Sequence, residues 1–145
     1  MYLDDIEIGS VTDIPEVVID KQRMLDFARL YDPIPLHLDE KYAKNSRFGN
    51  LIAPGVMSFM AVWAKYVELD LFGEELVAGK STKIEWFRPV FANDVLKGKA
   101  KITGITPRNE YNGICEVTIE VYNQNDELVL SDVTEAIVKF RGESL

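Results

Sequence analysis

The single histidine of this chain, His37, stands five positions after Asp32, in the stretch Asp32-Pro33-Ile34-Pro35-Leu36-His37. A carboxylate and an imidazole held together can take and return a proton near neutrality, because an imidazole changes charge in that range. Pro33 and Pro35 stiffen the intervening loop by fixing φ. A second break, Pro54-Gly55, opens the most apolar segment of the chain. The first amides of a helix starting there lack intrahelical acceptors and carry the positive end of its dipole, which suits an oxygen gaining negative charge. Gly55 has no side chain to block an approaching group. Asp32 and His37 are therefore the catalytic candidates; Gly55, with its neighbours Pro54 and Ser58, is the binding candidate. Each has a structural alternative. His37 also fits a satisfied loop histidine, and Asp32 a cap or turn residue. Pro54-Gly55 also fits plain helix punctuation, and Ser58 a small residue in a packed helix.

The elements that must position these residues follow from periodicity. Val11 to Ile19 is rich in β-branched residues, and Pro15 in its middle restricts it to a sheet edge. Asp20 is placed to cap a helix in which Met24, Phe27, Ala28 and Tyr31 form a stripe, flanked by Leu25 and Leu30. Pro33 ends that helix, because the residue before a proline leaves the α region. Asp39 to Asn45 reads as a short helix capped by Asp39, and Phe48-Gly49-Asn50 as a turn. From Gly55 to about Leu71 the segment is apolar nearly all round, the signature of a buried helix, and Phe72-Gly73 closes it. Its charges, Lys65, Glu68 and Asp70, come late, so its first half is the more buried.

The remainder alternates with period two. Ile84 and Trp86 alternate with Lys83, Glu85 and Phe87. Leu96, Gly98, Ala100 and Ile102 alternate with Lys97, Lys99 and Lys101. Cys115, Val117, Ile119 and Val121 alternate with Glu116, Thr118 and Glu120. The last run, Leu128 to Val138, alternates least cleanly. Such alternation predicts an antiparallel sheet covered on one face, with turns at Ala92-Asn93-Asp94, Asn109 to Gly113 and Gln124 to Asp126. One long apolar helix and a run of strands pack most economically as a sheet wrapped around the helix, an α+β domain.

Composition bounds the function. The 145 residues suit one domain spanning 1–145. A net charge of -8 argues against a nucleic-acid surface, which needs clustered Lys and Arg. Cys115 is alone, so no internal disulfide forms, and its apolar neighbours mark it as a core residue. The acidic start, Met1 to Gly9, lacks the basic region of a signal peptide. The longest apolar run, Val56 to Ala64, falls far short of the ~20 residues a membrane helix needs. A cytoplasmic location without a membrane partner is expected. No cofactor is expected either, and one histidine without a cysteine cluster argues against zinc.

Asp32 to Glu40, with Tyr42-Ala43, Phe48-Gly49 and Ile52-Ala53-Pro54-Gly55, resembles the MaoC-like branch of the hot-dog superfamily. That branch includes (R)-specific enoyl-CoA hydratases and related acyl dehydratases. Trp86 to Val90, followed by Asn93-Asp94-Val95-Leu96, is similar to a second signature of that branch. The resemblance covers nearly the whole chain. It implies a hot-dog fold, a homodimer or higher homo-oligomer, and an acyl-CoA or acyl-carrier thioester held in a tunnel between subunits. It also implies an acid–base role for the pair matching Asp32 and His37, and a backbone N–H at Gly55 facing the thioester carbonyl. Two positions depart from the hydratase pattern. Tyr31 stands where it has glycine, and Ile34 where it has an asparagine that helps order the catalytic water. The implied activity is reversible hydration of a 2-enoyl thioester to a 3-hydroxyacyl thioester. The alternatives are a non-catalytic acyl-thioester-binding subunit, which Ile34 keeps open, and a hot-dog thioesterase. Arg88 and Lys83 are candidates to meet coenzyme A phosphates or, alternatively, solvated residues of a strand face.

Overall fold

The computed structural model describes residues 1–142. Five antiparallel strands form one sheet in the order β1-β3-β4-β5-β2. They are β1 Val11–Val18, β2 Leu76–Trp86, β3 Val95–Pro107, β4 Asn112–Tyr122 and β5 Leu128–Lys139. Four helices fall between β1 and β2: α1 Lys21–Tyr31, α2 Pro35–Leu38, α3 Glu40–Lys44 and α4 Gly55–Glu68. Helix α4 lies in the concave face of the sheet, the hot-dog arrangement. Among the described residues, no helix is long and apolar enough to cross a membrane.

The core follows the alternation of β3 and β4. Leu96, Ala100, Ile102, Cys115, Val117, Ile119 and Val121 are buried beneath α4, which contributes Met57, Phe59 and Val62. Each buried Val, Leu, Ile, Phe or Met among them contributes about 1.5–3 kcal/mol on full burial. Gly98 lets the helix lie close: a Cβ there would stand 3.2 Å from Val62 Cγ1 and 3.0 Å from Ile14 Cδ1. Burial pushes the Cys115 thiol up to about 11, so it stays protonated and inert.

β1 is an edge strand as Pro15 requires, and its register shifts between Ile14 and Val17, around the proline. Asp20 caps α1 by accepting from the Arg23 amide, and Asp39 caps α3 by accepting from Tyr42. Asn93 and Asp126 take positive φ in two of the predicted turns.

Several expectations need correction. In the α1 stripe Met24 and Ala28 are buried, but Leu30 and Tyr31 lie exposed at the helix end. Helix α4 stops at Glu68 rather than Leu71, and Asp70 in the left-handed region (φ 50) turns the chain. Nor is α4 buried all round: Val56, Met60 and Val67 remain exposed. Strand β2 begins at Leu76, well before Ile84, because an edge strand open on both faces carries no burial alternation. Trp86, expected to face the core, is half exposed. On β5 the face toward α4 is Leu130, Asp132, Thr134, Ala136 and Val138, so two polar residues interrupt the apolar pattern there.

Candidate active site

Asp32 is the C-cap of α1. Its N–H still bonds the Ala28 carbonyl, while Pro33 forces its backbone out of the helix, to φ −154°. Pro35 then starts the single helical turn α2 at a position where the missing N–H is harmless. His37 thus sits on a helical turn rather than on a loop. The turn is tied down by Ile52 N–H donating to Leu36 O at 3.2 Å, and Ala53 N–H donates to Val90 O at 2.7 Å. The prolines and these bonds fix where the imidazole points.

The imidazole is buried, and its Nδ1 lies 2.7 Å from the carbonyl oxygen of Ile52. Only an N–H can face a carbonyl oxygen at that distance, so Nδ1 carries a proton. Nε2 lies 3.2 Å from Asp32 Oδ2, and the Asp32 side chain is 43% exposed. An imidazole and a carboxylate this close, both lining one cleft, have the chemistry to pass a proton to or from a third molecule there.

Both residues line a cleft of about 450 Å³ together with Gly55, Ser58, Arg47 and Trp86. Four of the five residues singled out in the sequence therefore meet in one place. Pro54 does not: it is fully buried, outside the lining, and serves as N-cap of α4 without a side-chain cap bond. Ser58 is 1% exposed and its Oγ donates to Gly55 O at 2.8 Å, which leaves only lone pairs for a ligand. Gly55 O also accepts from Trp86 Nε1 at 2.9 Å. A Cβ on Gly55 would stand 2.6 Å from Trp86 Cε2, so the absent side chain makes room for the indole. As first residue of α4, Gly55 has no intrahelical acceptor for its own N–H.

Two cleft residues escape a reading of the sequence. Arg47 lies over the Phe48 ring at 5.0 Å and reaches the cleft through the fold, with no motif to announce it. Trp86 is legible as part of the second signature but not as the clamp on Gly55 O. Arg88 lines the cleft and pairs with Glu127 at 2.9 Å, whereas Lys83 stands outside it, 3.7 Å from Glu85. Among the described residues, no three His, Cys, Asp or Glu side chains cluster as metal ligands do.

A five-stranded antiparallel sheet wrapped on one helix, with an acid and an imidazole in a cleft at the start of that helix, defines a hot-dog domain. The MaoC like domain matches residues 6–124, and the chain belongs to that family. Similar solved structures include a monoamine oxidase regulatory protein from Archaeoglobus fulgidus, 26% identical, with TM-score 0.93 over 98% of this chain and 96% of that one. A MaoC-like dehydratase from Rhodospirillum rubrum is 25% identical, with TM-score 0.84 over 99% of both chains. A curated relative, the uncharacterized protein YdeM of Bacillus subtilis, is 26% identical over 96% of this chain and 99% of its own length. The family supports hydration or dehydration of acyl thioesters as the general activity.

Proposed function

We propose that this protein reversibly hydrates a 2-enoyl thioester to the 3-hydroxyacyl thioester, with Asp32 and His37 as the acid–base pair. The carrying observation is the locked imidazole, with Nδ1 held by Ile52 and Nε2 3.2 Å from Asp32 Oδ2, in the cleft that holds the N-terminus of α4. In the hydration direction Asp32 takes a proton from water and the oxygen bonds Cβ. The alkene electrons move toward the thioester carbonyl, whose oxygen gains negative charge. The Gly55 N–H and the helix dipole stabilise that charge. The pair then returns one proton to Cα, so the elements of water have been added and the pair is restored. Dehydration runs the same steps backward. Similarity along the whole chain to the MaoC-like dehydratase of Rhodospirillum rubrum supports this reading.

A homodimer belongs to the same proposal. β2 is an edge strand with unpaired backbone groups, exposed along nearly its whole length. Beside it Val56, Met60, Val67, Trp86 and Phe87 are exposed. A second copy added at this edge would satisfy the ladder and cover the apolar patch.

The test follows the absorbance of crotonyl-CoA and a longer 2-enoyl-CoA with purified protein, together with release of free thiol. Loss of the conjugated band without thiol supports the hydratase. Released thiol overturns it in favour of a thioesterase. No change with either substrate favours a binding subunit, the reading suggested by Ile34, which sits 43% exposed just ahead of α2.

A further inference from the structure

Asp32, Arg47 and Arg88 bring formal charge to the catalytic cleft. Two of these charges are answered: Asp32 has the His37 ring 3.2 Å away, and Arg88 pairs with Glu127 at 2.9 Å. The third is not. Among the described residues the Arg47 side chain makes neither an ion pair nor a hydrogen bond, and its guanidinium lies over the Phe48 ring at 5.0 Å. An aromatic ring steadies a guanidinium without consuming its N–H donors. The wall around it is largely apolar, with Phe48, Ile52, Val56, Phe87 and Val90. In such surroundings an opposite charge on a ligand is attracted more strongly than in water. The chain as a whole is acidic, with net charge -8, so this pull is local and not part of a general field for anions.

A guanidinium fork matches a carboxylate or a phosphate. A CoA or carrier-protein thioester brings phosphate at the far end of its pantetheine arm, about 13 bonds from the sulfur and roughly 15 Å away when extended. A sphere with the volume of this cleft, about 450 Å³, is only about 10 Å across. With the thioester carbonyl at Gly55, the phosphate of an extended arm falls outside the cleft. The first few acyl carbons beyond the double bond stay inside it.

Resting on the acyl-thioester reading, we propose that Arg47 recognises a carboxylate on the acyl group, so that the preferred substrate is a 2-enoyl thioester of a dicarboxylic acid. The carboxylate accepts from the free N–H groups of Arg47. The guanidinium charge also offsets the repulsion between that carboxylate and Asp32. An alkyl chain of the same length leaves the fork without an acceptor.

The test compares kcat/KM within two pairs of substrates, glutaconyl-CoA with 2-pentenoyl-CoA and 2-hexenedioyl-CoA with 2-hexenoyl-CoA. In each pair a methyl replaces the carboxylate. Wild type is expected to favour the carboxylated member of at least one pair by roughly 10- to 100-fold, the range of charge-assisted hydrogen bonds. Arg47→Gln should remove that preference, and Arg47→Lys should keep part of it. Arg47 is exposed and outside the core, so both variants are expected to fold. A merely structural role lowers both rates together and leaves the ratio unmoved. A ratio unchanged by Arg47→Gln, or no wild-type preference for the carboxylate in either pair, overturns the inference. Crotonyl-CoA beside crotonyl-pantetheine reads the carrier: should Arg47→Gln raise KM only for the phosphate-bearing thioester, Arg47 serves the carrier and the acyl assignment falls. A protein that hydrates none of these substrates overturns the hydratase reading instead. Calorimetric binding of glutaryl-CoA and adipoyl-CoA against pentanoyl-CoA and hexanoyl-CoA then reads Arg47, and equal affinities within both pairs reject its role.

Discussion

Asp32 and Asp132 occupy opposite kinds of place in one domain. The Asp32 side chain is 43% exposed, sits on an irregular segment, and has the His37 imidazole 3.2 Å away. Asp132 is 0% exposed, sits in the regular register of β5, and has one oxygen without a partner. The contrast follows from solvation. An accessible carboxylate keeps its charge at little cost, and a neighbouring imidazole gives it a proton to exchange. A buried carboxylate loses hydration without full compensation. The first arrangement leaves a carboxylate that a molecule entering from solvent can reach, and the second leaves one that it cannot.

Removing the exposed acid should have the largest effect. Asp32→Asn is expected to lower kcat by roughly 10²- to 10⁴-fold, the range of a lost general acid–base group. Its melting temperature should stay close to wild type, because the side chain makes no packing contact that the amide cannot replace. His37→Ala should lower kcat by a similar factor but also destabilise, since the buried ring and its bond to Ile52 are lost. Steady-state kinetics beside thermal melts check both. Near-full activity in either variant would remove the proton-transfer role proposed for the pair.

Gly55 sharpens the contrast between chemistry and packing. Gly55→Ala places a methyl 2.6 Å from Trp86 Cε2, so the indole must shift and its bond to Gly55 O weakens. A loss of about 2 kcal/mol in stability is expected, within the range for overpacking. Trp86→Phe trims the ring and should recover part of that loss in the double variant, which a double-mutant cycle in denaturant measures. Recovered stability without recovered activity would assign Gly55 to the cleft; recovery of both would assign it to packing.

The parts that could be read from the sequence are those where burial and covalent geometry agree. β3 and β4 alternate because one face is buried against α4, and Asp20, Asp39 and Pro33 mark helix ends through local hydrogen bonds and sterics. Asp32 and His37 were legible because a proline-bounded spacing fixes them locally. Elements shaped by absent or distant partners were not. The first half of β2 has no buried face to impose alternation, and Val56, Met60 and Val67 look like core residues yet face outward. Arg47 enters the cleft through the tertiary fold, and the indole filling the space above Gly55 belongs to a strand 31 residues away. The irregular alternation of β5 was visible, but only the register identifies Asp132 and Thr134 as facing α4.

The smallest expected effect concerns Asp132 and pH. Burial raises its folded-state pKa above the unfolded value, with the Thr82 hydrogen bond acting in the opposite direction. The native protein then holds a proton that the unfolded chain has released, so stability falls as pH rises from the unfolded value through the folded one. The contribution is fully present below the unfolded value and lost above the folded one, opposite in sign to a salt-bridged aspartate. Asp132→Asn removes this charge penalty while its amide oxygen still accepts from Thr82. The gain at neutral pH should be about 1 kcal/mol, because the new NH₂ is itself left without an acceptor. Urea denaturation of both proteins across the acidic-to-neutral range measures it. The two curves should converge at low pH and separate as pH rises; parallel curves would mean that Asp132 gains a hydrogen-bond partner in solution.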